Sequence, residues 1–105
     1  MGGAIGRTAP DATAFPHRGA VAVLQFVASW DASAPAATAD ASLAWLRSIY
    51  GTARPLIGSG AYVNYADPDL GDWPQAYYGA NYARLQRARA TYDPERLFAF
   101  PQAVQ

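Results

Sequence analysis

The fold is decided by residues 60–104, which read GAYVNYADPDLGDWPQAYYGANYARLQRARATYDPERLFAFPQAV. The alternation in residues 61–65, Ala-Tyr-Val-Asn-Tyr, predicts a short strand. Residues 67–71 are turn formers and predict a loop. A helix is expected from Asp72 to about Tyr92, where the dipeptide Asp-Pro stops it.

The predicted helix carries recognisable start signals. Asp72 suits the N-cap, Pro74 falls in the first turn, and Gln75 stands three residues after the cap in capping-box position. We expect an apolar stripe along this helix to pack in the core, comprising Tyr78, Tyr82, Leu85 and Tyr92. The tail that follows is also expected to pack, anchored by Leu97, Phe98 and Phe100.

Upstream of this stretch, the pattern predicts a second strand and a second helix. Residues 20–30, AVAVLQFVASW, read as a long strand with both faces at least half covered. A helix should then run from about Pro35 or Thr38 to about Ala53, because Leu, Ile and Tyr recur there at helical spacing. Pro55 is expected to end it, since proline disfavours helical geometry in the preceding residue.

These elements together predict an α+β fold with a few antiparallel strands and two main helices. Two strands are too few for a stable open sheet. The further strands must therefore come from the irregular lead-in before residue 20, from another chain, or from sequence outside these 105 residues.

Composition and charge exclude several classes of function. Eight basic and eight acidic residues give a formal net charge of zero, which argues against nucleic acid or an anionic membrane as a partner. The chain has no cysteine, so disulfides and thiolate chemistry are excluded. With no signal-peptide pattern at the start, a cytoplasmic protein is expected. Enrichment in Ala, Asp and Arg is typical of a GC-rich bacterium.

Two stretches resemble a known family. Residues 2–20, GGAIGRTAPDATAFPHRGA, resemble the end of the substrate domain in bacterial FAD-linked oxidases of the berberine bridge enzyme family. Residues 60–104 are similar to the C-terminal segment named after that family, through the motifs Tyr-x-Asn-Tyr, Asp-Leu-Gly, Tyr-x-x-Asn-Tyr and Tyr-Asp-Pro-x-x-x-Phe. The resemblance implies that residues 1–57 are the end of the substrate-domain sheet plus a helix, and that 58–105 form the C-terminal segment. The chain would then be an incomplete part of a larger substrate domain.

The resemblance also implies a function. Members of the family oxidise alcohols, sugars or alkaloids by passing hydride to FAD. They hold that cofactor mainly in an N-terminal domain, which is absent from these residues. The expected partners are therefore such an FAD-binding domain and a small-molecule alcohol or sugar. Two alternatives stay open: a non-catalytic interaction domain, or one half of a split oxidase.

The resemblance carries over three candidate residues of the active site. Tyr65 matches a tyrosine that some sugar-oxidising relatives use as general base. Asn64 matches an asparagine near the flavin, and His17 matches a position close to the flavin. A cation or donor there would stabilise the negative charge of the reduced ring, so Arg18 is a candidate with His17.

Tyr62 is assigned to substrate binding, since it shares a strand face with Asn64. In a regular strand Tyr65 would point away from both, so a bulge or the strand's end must intervene. No metal site is predicted. Turn formation and helix capping explain the three neighbouring carboxylates better than calcium does; they are Asp67, Asp69 and Asp72.

Overall fold

The computed structural model describes residues 2–105, and all the regular elements in that range are helical. A 3₁₀ turn at Ile5–Arg7 comes first. Helix α1 then spans Ala36–Ile57. Helix α2 spans Trp73–Tyr78, and helix α3 spans Tyr82–Tyr92. A 3₁₀ turn at Gly79–Asn81 lies between α2 and α3.

The chain divides into two compact units. The first, here the core unit, comprises the residues up to Val23 together with Gly60–Gln105 and so contains α2 and α3. The second, here the helical unit, comprises Leu24–Ser59 and contains α1. The core unit thus joins two stretches of sequence that are separated by 36 residues.

The prediction of an α+β fold with antiparallel strands is wrong. Residues 22–30 have no regular structure, and most of their side chains are exposed. Residues 61–65 form a turn instead of a strand, with the backbone N–H of Tyr65 donating to the Tyr62 carbonyl at 2.9 Å. A strand exists only through hydrogen bonds to a neighbouring strand, and the described residues 2–105 supply no such neighbour.

Helix α1 begins where the sequence predicts but ends later. Pro55 lies inside the helix, which continues to Ile57. A proline inside a helix has no N–H to donate to the carbonyl four residues earlier, here that of Gly51, and its ring crowds that carbonyl. The helix nevertheless continues for two residues after Pro55. Gly58, with φ at 86°, ends the helix and donates its N–H to the Arg54 carbonyl at 3.0 Å.

The predicted helix from Asp72 to Tyr92 is confirmed in position but is interrupted. Gly79, with φ at 50°, ends α2 and begins the 3₁₀ turn, in a backbone conformation that residues other than glycine rarely adopt. Pro74 lies in the first turn of α2 as predicted. Asp72 is the N-cap residue, although its side chain makes no capping hydrogen bond.

All the buried residues of the described chain lie in the core unit. The fully buried ring is Tyr77, which is 2% exposed, and the other buried residues are Leu70, Ala76, Asn81, Asp93 and Ala103. The Tyr77 hydroxyl accepts from the Asp67 N–H at 2.8 Å and donates to Gln102 Oε1 at 3.2 Å. Gln102 Nε2 in turn donates to the Asp67 carbonyl at 2.7 Å. This ring of hydrogen bonds joins the loop before α2 to the C-terminal tail.

Several residues predicted to pack are instead exposed. Tyr92, at the end of the expected stripe, is 86% exposed. Three apolar side chains of the tail are also exposed: Leu97, Phe98 and Phe100. The tail is held instead by Asp93, whose carboxylate accepts the N–H groups of Leu97 and Phe98 at 2.7 and 3.3 Å. None of the helices within residues 2–105 combines the length and hydrophobicity needed to cross a bilayer.

Candidate active-site cluster

Four aromatic side chains form a continuous series of edge-to-face contacts in the core unit. The Phe15 ring lies 5.5 Å from the His17 ring and 5.8 Å from the Tyr62 ring. The Tyr62 ring lies 5.6 Å from that of Tyr65. Edge-to-face geometry at these distances is attractive because a positive ring edge meets a negative face. These four residues are called the ring cluster below.

The turn at residues 62–65 explains how Tyr62, Asn64 and Tyr65 converge. In a regular strand Tyr65 would point away from the other two residues. The turn instead brings the Tyr65 ring against that of Tyr62, and Asn64 Nδ2 donates to the Tyr62 hydroxyl oxygen at 2.8 Å. The structure therefore places all three predicted residues side by side, by a turn in place of the expected strand.

His17 lies against the backbone of Gly60. A Cβ atom at Gly60 would lie 3.0 Å from both Cε1 and Nδ1 of the imidazole, so glycine allows this approach. His17 Nε2 is buried and has no hydrogen-bond partner among the described residues. A buried nitrogen in this state costs free energy unless another group pairs with it. His17 Nε2 is therefore available to form a hydrogen bond with a polar atom of a bound group.

Arg18 stands beside the same cluster. Its guanidinium carbon lies 5.0 Å from the centre of the Phe15 ring, within the range of cation–π attraction. Arg18 Nη2 donates to Thr13 Oγ1 at 2.5 Å, whereas its buried Nε has no partner within residues 2–105. Two adjacent residues therefore each present a buried nitrogen that lacks a hydrogen bond.

Contacts from the helices hold both halves of the site in place. The Ala61 N–H donates to the Ala76 carbonyl of α2 at 2.9 Å, which fixes the start of the turn. Asn81 Nδ2 donates to the carbonyls of Pro10 and Thr13, which fixes the segment before Phe15. Residues far apart in sequence are thereby brought to one place.

The residues of the site differ in their exposure to solvent. Tyr65 is 57% exposed and Asn64 is also exposed, while Phe15, His17, Arg18 and Tyr62 are half-buried. The carboxylates that follow are used in a turn: Asp67 Oδ1 accepts the Asp69 N–H at 2.9 Å. Within residues 2–105 no three His, Asp or Glu side chains are grouped as metal ligands would be.

A second aromatic group supports α2 and α3. The Trp73 ring lies 5.7 Å from the Tyr82 ring, which stacks on Tyr78 at 6.1 Å, and Tyr77 contacts both Trp73 and Tyr78. Burial raises the pKa of Tyr78 above its ordinary value of 10.0, and the nearby Tyr77 and Tyr82 add to the rise. The ring contacts of Tyr82 with Trp73 and Tyr78 join α2 to α3, so this group serves packing.

The helical unit contains a separate open cavity of about 530 Å³. It is lined by Ala28, Ala37, Thr38, Ala41, Ser42 and Trp45. None of these side chains is an acid, a base or a strong nucleophile, so the cavity has no groups for proton transfer. The chemistry of the described residues is concentrated in the core unit.

Phe15 and Asn81 were not predicted as site residues. Phe15 joins His17 to Tyr62, and Asn81 holds the preceding loop. The signal for Asn81 was its place in the Tyr-x-x-Asn-Tyr motif, which gave no indication of its partner. Pro10 lies 71 residues away in sequence, and local patterns carry no information on such a contact.

Comparison with known proteins shows which family the chain is similar to. Residues 61–105 match the family model described as berberine and berberine like. The chain is 38% identical over 104 residues to the uncharacterized FAD-linked oxidoreductase YgaK of Bacillus subtilis, covering 99% of this chain and 22% of that protein. No solved structure matches significantly.

Two further relatives have named activities. A carbohydrate oxidase of Microdochium nivale is 38% identical over 97 residues, covering 89% of this chain and 19% of that protein. A reticuline oxidase of Eschscholzia californica is 29% identical over 126 residues, covering 99% of this chain and 23% of that protein. The chain thus spans about a fifth of the length of these relatives. Residues 61–105 thus form a berberine-like segment, and nearly the whole chain is similar to FAD-linked oxidoreductases and berberine-bridge-enzyme-like proteins.

Proposed function

We propose that this chain forms one wall of the active site of an FAD-dependent oxidoreductase that oxidises an alcohol, a sugar or a secondary metabolite. The observation that carries the proposal is the convergence of the ring cluster with two unpartnered buried nitrogens, His17 Nε2 and Arg18 Nε. A carbohydrate oxidase and a reticuline oxidase among the relatives are consistent with such substrates.

The residues of the site suit the FAD that the relatives' names imply. His17 and Arg18 would hold the cofactor as donors to its carbonyl and ring atoms, because their buried nitrogens have no partner of their own. Asn64 is the third candidate, since an amide both donates and accepts hydrogen bonds. FAD, when bound, accepts the hydride removed from the substrate. A cation or donor held beside it stabilises the negative charge that this transfer produces.

Tyr65 is the proposed general base, and Tyr62 the proposed substrate contact. Removing the hydroxyl proton of an alcohol as hydride leaves requires a basic group that the substrate can reach. Tyr65 is 57% exposed, so the residue is accessible from outside the chain. Tyr62 lies between Tyr65 and Phe15, and its oxygen is held by Asn64. A substrate approaching Tyr65 would therefore meet Tyr62 as well.

The proposed partner of this chain is an FAD-binding domain. The relatives are about five times longer than the matched segment, so most of their residues have no counterpart here. Exposed apolar side chains are abundant in the chain, including Trp30, Trp45 and Phe98. Large exposed apolar surface usually marks a place where another body packs.

The experiment is a Tyr65→Phe substitution in the intact FAD-loaded oxidase. We expect flavin reduction in single-turnover kinetics to slow by about 100-fold or more, with substrate binding little changed, because only proton removal is lost. Tyr92→Phe is the matched control, since Tyr92 is 86% exposed and lies outside the ring cluster. A reduction rate that Tyr65→Phe leaves unchanged would remove Tyr65 as the base.

A further inference from the structure

We propose that Asn81 and Thr13 are positioning residues that set where the Phe15–Arg18 segment lies. The use of that segment for cofactor binding rests on the function proposed above. The positioning itself is a property of this chain and can be measured without FAD. It assigns a role to the asparagine of the Tyr-x-x-Asn-Tyr motif, which the resemblance left without one.

Asn81 links the helices to the loop before the site. Its side chain is only 7% exposed, and Nδ2 donates to the Pro10 carbonyl at 2.8 Å and to the Thr13 carbonyl at 3.1 Å. The amide nitrogen therefore donates to two backbone carbonyl oxygens, which belong to residues 71 and 68 positions away in sequence. A buried amide without these acceptors would be costly, so the loop is constrained to pass over Asn81.

Thr13 passes this constraint on to the site. Its hydroxyl oxygen accepts from the Phe15 N–H at 3.2 Å and from Arg18 Nη2 at 2.5 Å. The carbonyl of Thr13 is thus held by Asn81 while its side chain holds two residues of the segment. Phe15 then contacts both His17 and Tyr62. The path from α3's N-terminal end to His17 consists of direct contacts throughout.

A merely structural role for these residues makes a different prediction. If Asn81 and Thr13 only added stability, removing a contact would lower the stability of the core unit without selectively moving Phe15, His17 and Arg18. If they position the segment, those three residues should move while the environment of Tyr77 stays as it is. Proton chemical shifts separate the two cases, since ring currents depend steeply on ring geometry.

The test compares Thr13→Val with Thr13→Ser in the full chain by NMR. Valine keeps the shape of threonine but loses the acceptor oxygen, whereas serine keeps that oxygen. In Thr13→Val we expect an upfield shift and faster exchange of the Phe15 amide proton, and altered shifts of the His17 ring protons. In Thr13→Ser these signals should stay near their original positions. Equal shifts in both variants, or unchanged signals in Thr13→Val, would overturn the proposal.

A second pair of variants tests Asn81. In Asn81→Ala the NMR signals of Phe15, His17 and Arg18 should shift, because the Thr13 carbonyl loses its hydrogen-bond donor. Arg84→Met is the matched control: Arg84 Nη1 donates to the neighbouring Asp11 carbonyl at 2.8 Å, but from an exposed position. Shifts as large in Arg84→Met as in Asn81→Ala would contradict a specific role for Asn81. Should Asn81→Ala fail to fold, Asn81→Asp, which keeps the shape of the side chain but loses the donor, is measured in its place, because the Thr13 pair tests only the Thr13 hydroxyl group.

The outcome for the proposed function is separate. In the FAD-loaded oxidase, Thr13→Val should alter the flavin absorption spectrum, while Thr13→Ser should leave it unchanged. If the NMR shifts occur in the chain and the flavin spectrum does not respond, the positioning stands and the cofactor role of this segment fails. If neither responds, the positioning itself is wrong.

Discussion

The core unit and the helical unit differ in how their residues are held. Every buried residue of the described chain lies in the core unit, where polar side chains such as Asn81 and Gln102 join distant segments. Helix α1 of the helical unit is 22 residues long and has no buried residue. A single helix cannot cover its own apolar face. The contrast shows that the candidate site lies in the unit that has buried residues and hydrogen bonds between distant segments.

The largest test of this contrast is Tyr77→Ala. Removing a ring that is 2% exposed should cost the core unit about 3–5 kcal/mol in free energy of unfolding, because a cavity replaces it. Urea unfolding followed through the signals of α2 and α3 measures this cost. Tyr77→Phe, which keeps the ring but loses the Asp67 and Gln102 hydrogen bonds, should cost about 1–3 kcal/mol. A loss below about 1 kcal/mol for Tyr77→Ala would mean the core unit is held elsewhere.

A Gly60→Ala substitution tests the packing of the site itself. The new Cβ would lie 3.0 Å from the His17 ring, so the imidazole must move by a few tenths of an ångström. Crowding of this kind should destabilise the core unit by about 1 kcal/mol and shift the His17 ring signals in NMR spectra. Gly71→Ala is the control, since nothing lies within 4 Å of its Cβ position. Equal effects of the two substitutions would show that His17 does not pack on Gly60.

In the helical unit, Gly51→Ala should act in the opposite direction. Gly51 lies inside α1, and a Cβ there would meet nothing within 4 Å. Alanine restricts the unfolded chain more than glycine does, so α1 should gain about 0.5–1 kcal/mol of helix stability. Circular dichroism during thermal unfolding measures the gain. A loss of helicity would reveal a contact at Gly51 that the structure does not contain.

The smallest expected effect is a pH dependence before α1. The Ser33 hydroxyl group and, to a lesser extent, the Ser33 N–H donate to the Asp31 carboxylate, which lowers the pKa of Asp31 below 3.8. A lowered pKa means that the turn is stabilised above the ordinary pKa and loses this contribution as the pH falls through the folded-state value. The Ser33 amide shift, followed from pH 7 to pH 2, should report this transition. Asp31→Asn should abolish it, and a transition that persists in that variant would have another source.

Local signals in the sequence predicted the helices well and the strands badly. Proline, glycine and capping residues act within a few positions, so the start of α1 and the turn at Asp67 were predictable. Alternation in residues 20–30 could not establish a strand, because a strand requires a neighbour that these residues do not have. The continuation of α1 past Pro55 was missed because proline near a helix end removes only one hydrogen bond.

The candidate site was predicted through motifs and not through geometry. The resemblance selected His17, Asn64 and Tyr65, whereas Arg18 was added for its charge and Tyr62 for its place on the expected strand. The structure brings these residues together with Phe15. Their assigned roles in cofactor binding and catalysis stay predictions. The contacts of Asn81 span about 70 residues of sequence, and nothing in a local pattern indicates them.

The most direct measurement is a crystal structure of the proposed oxidase with FAD bound. Our account predicts a hydrogen bond from His17 Nε2 or Arg18 Nε to the flavin ring system, with the Tyr65 hydroxyl group on the substrate side. A flavin held entirely by other residues, with the ring cluster remote from it, would contradict the account.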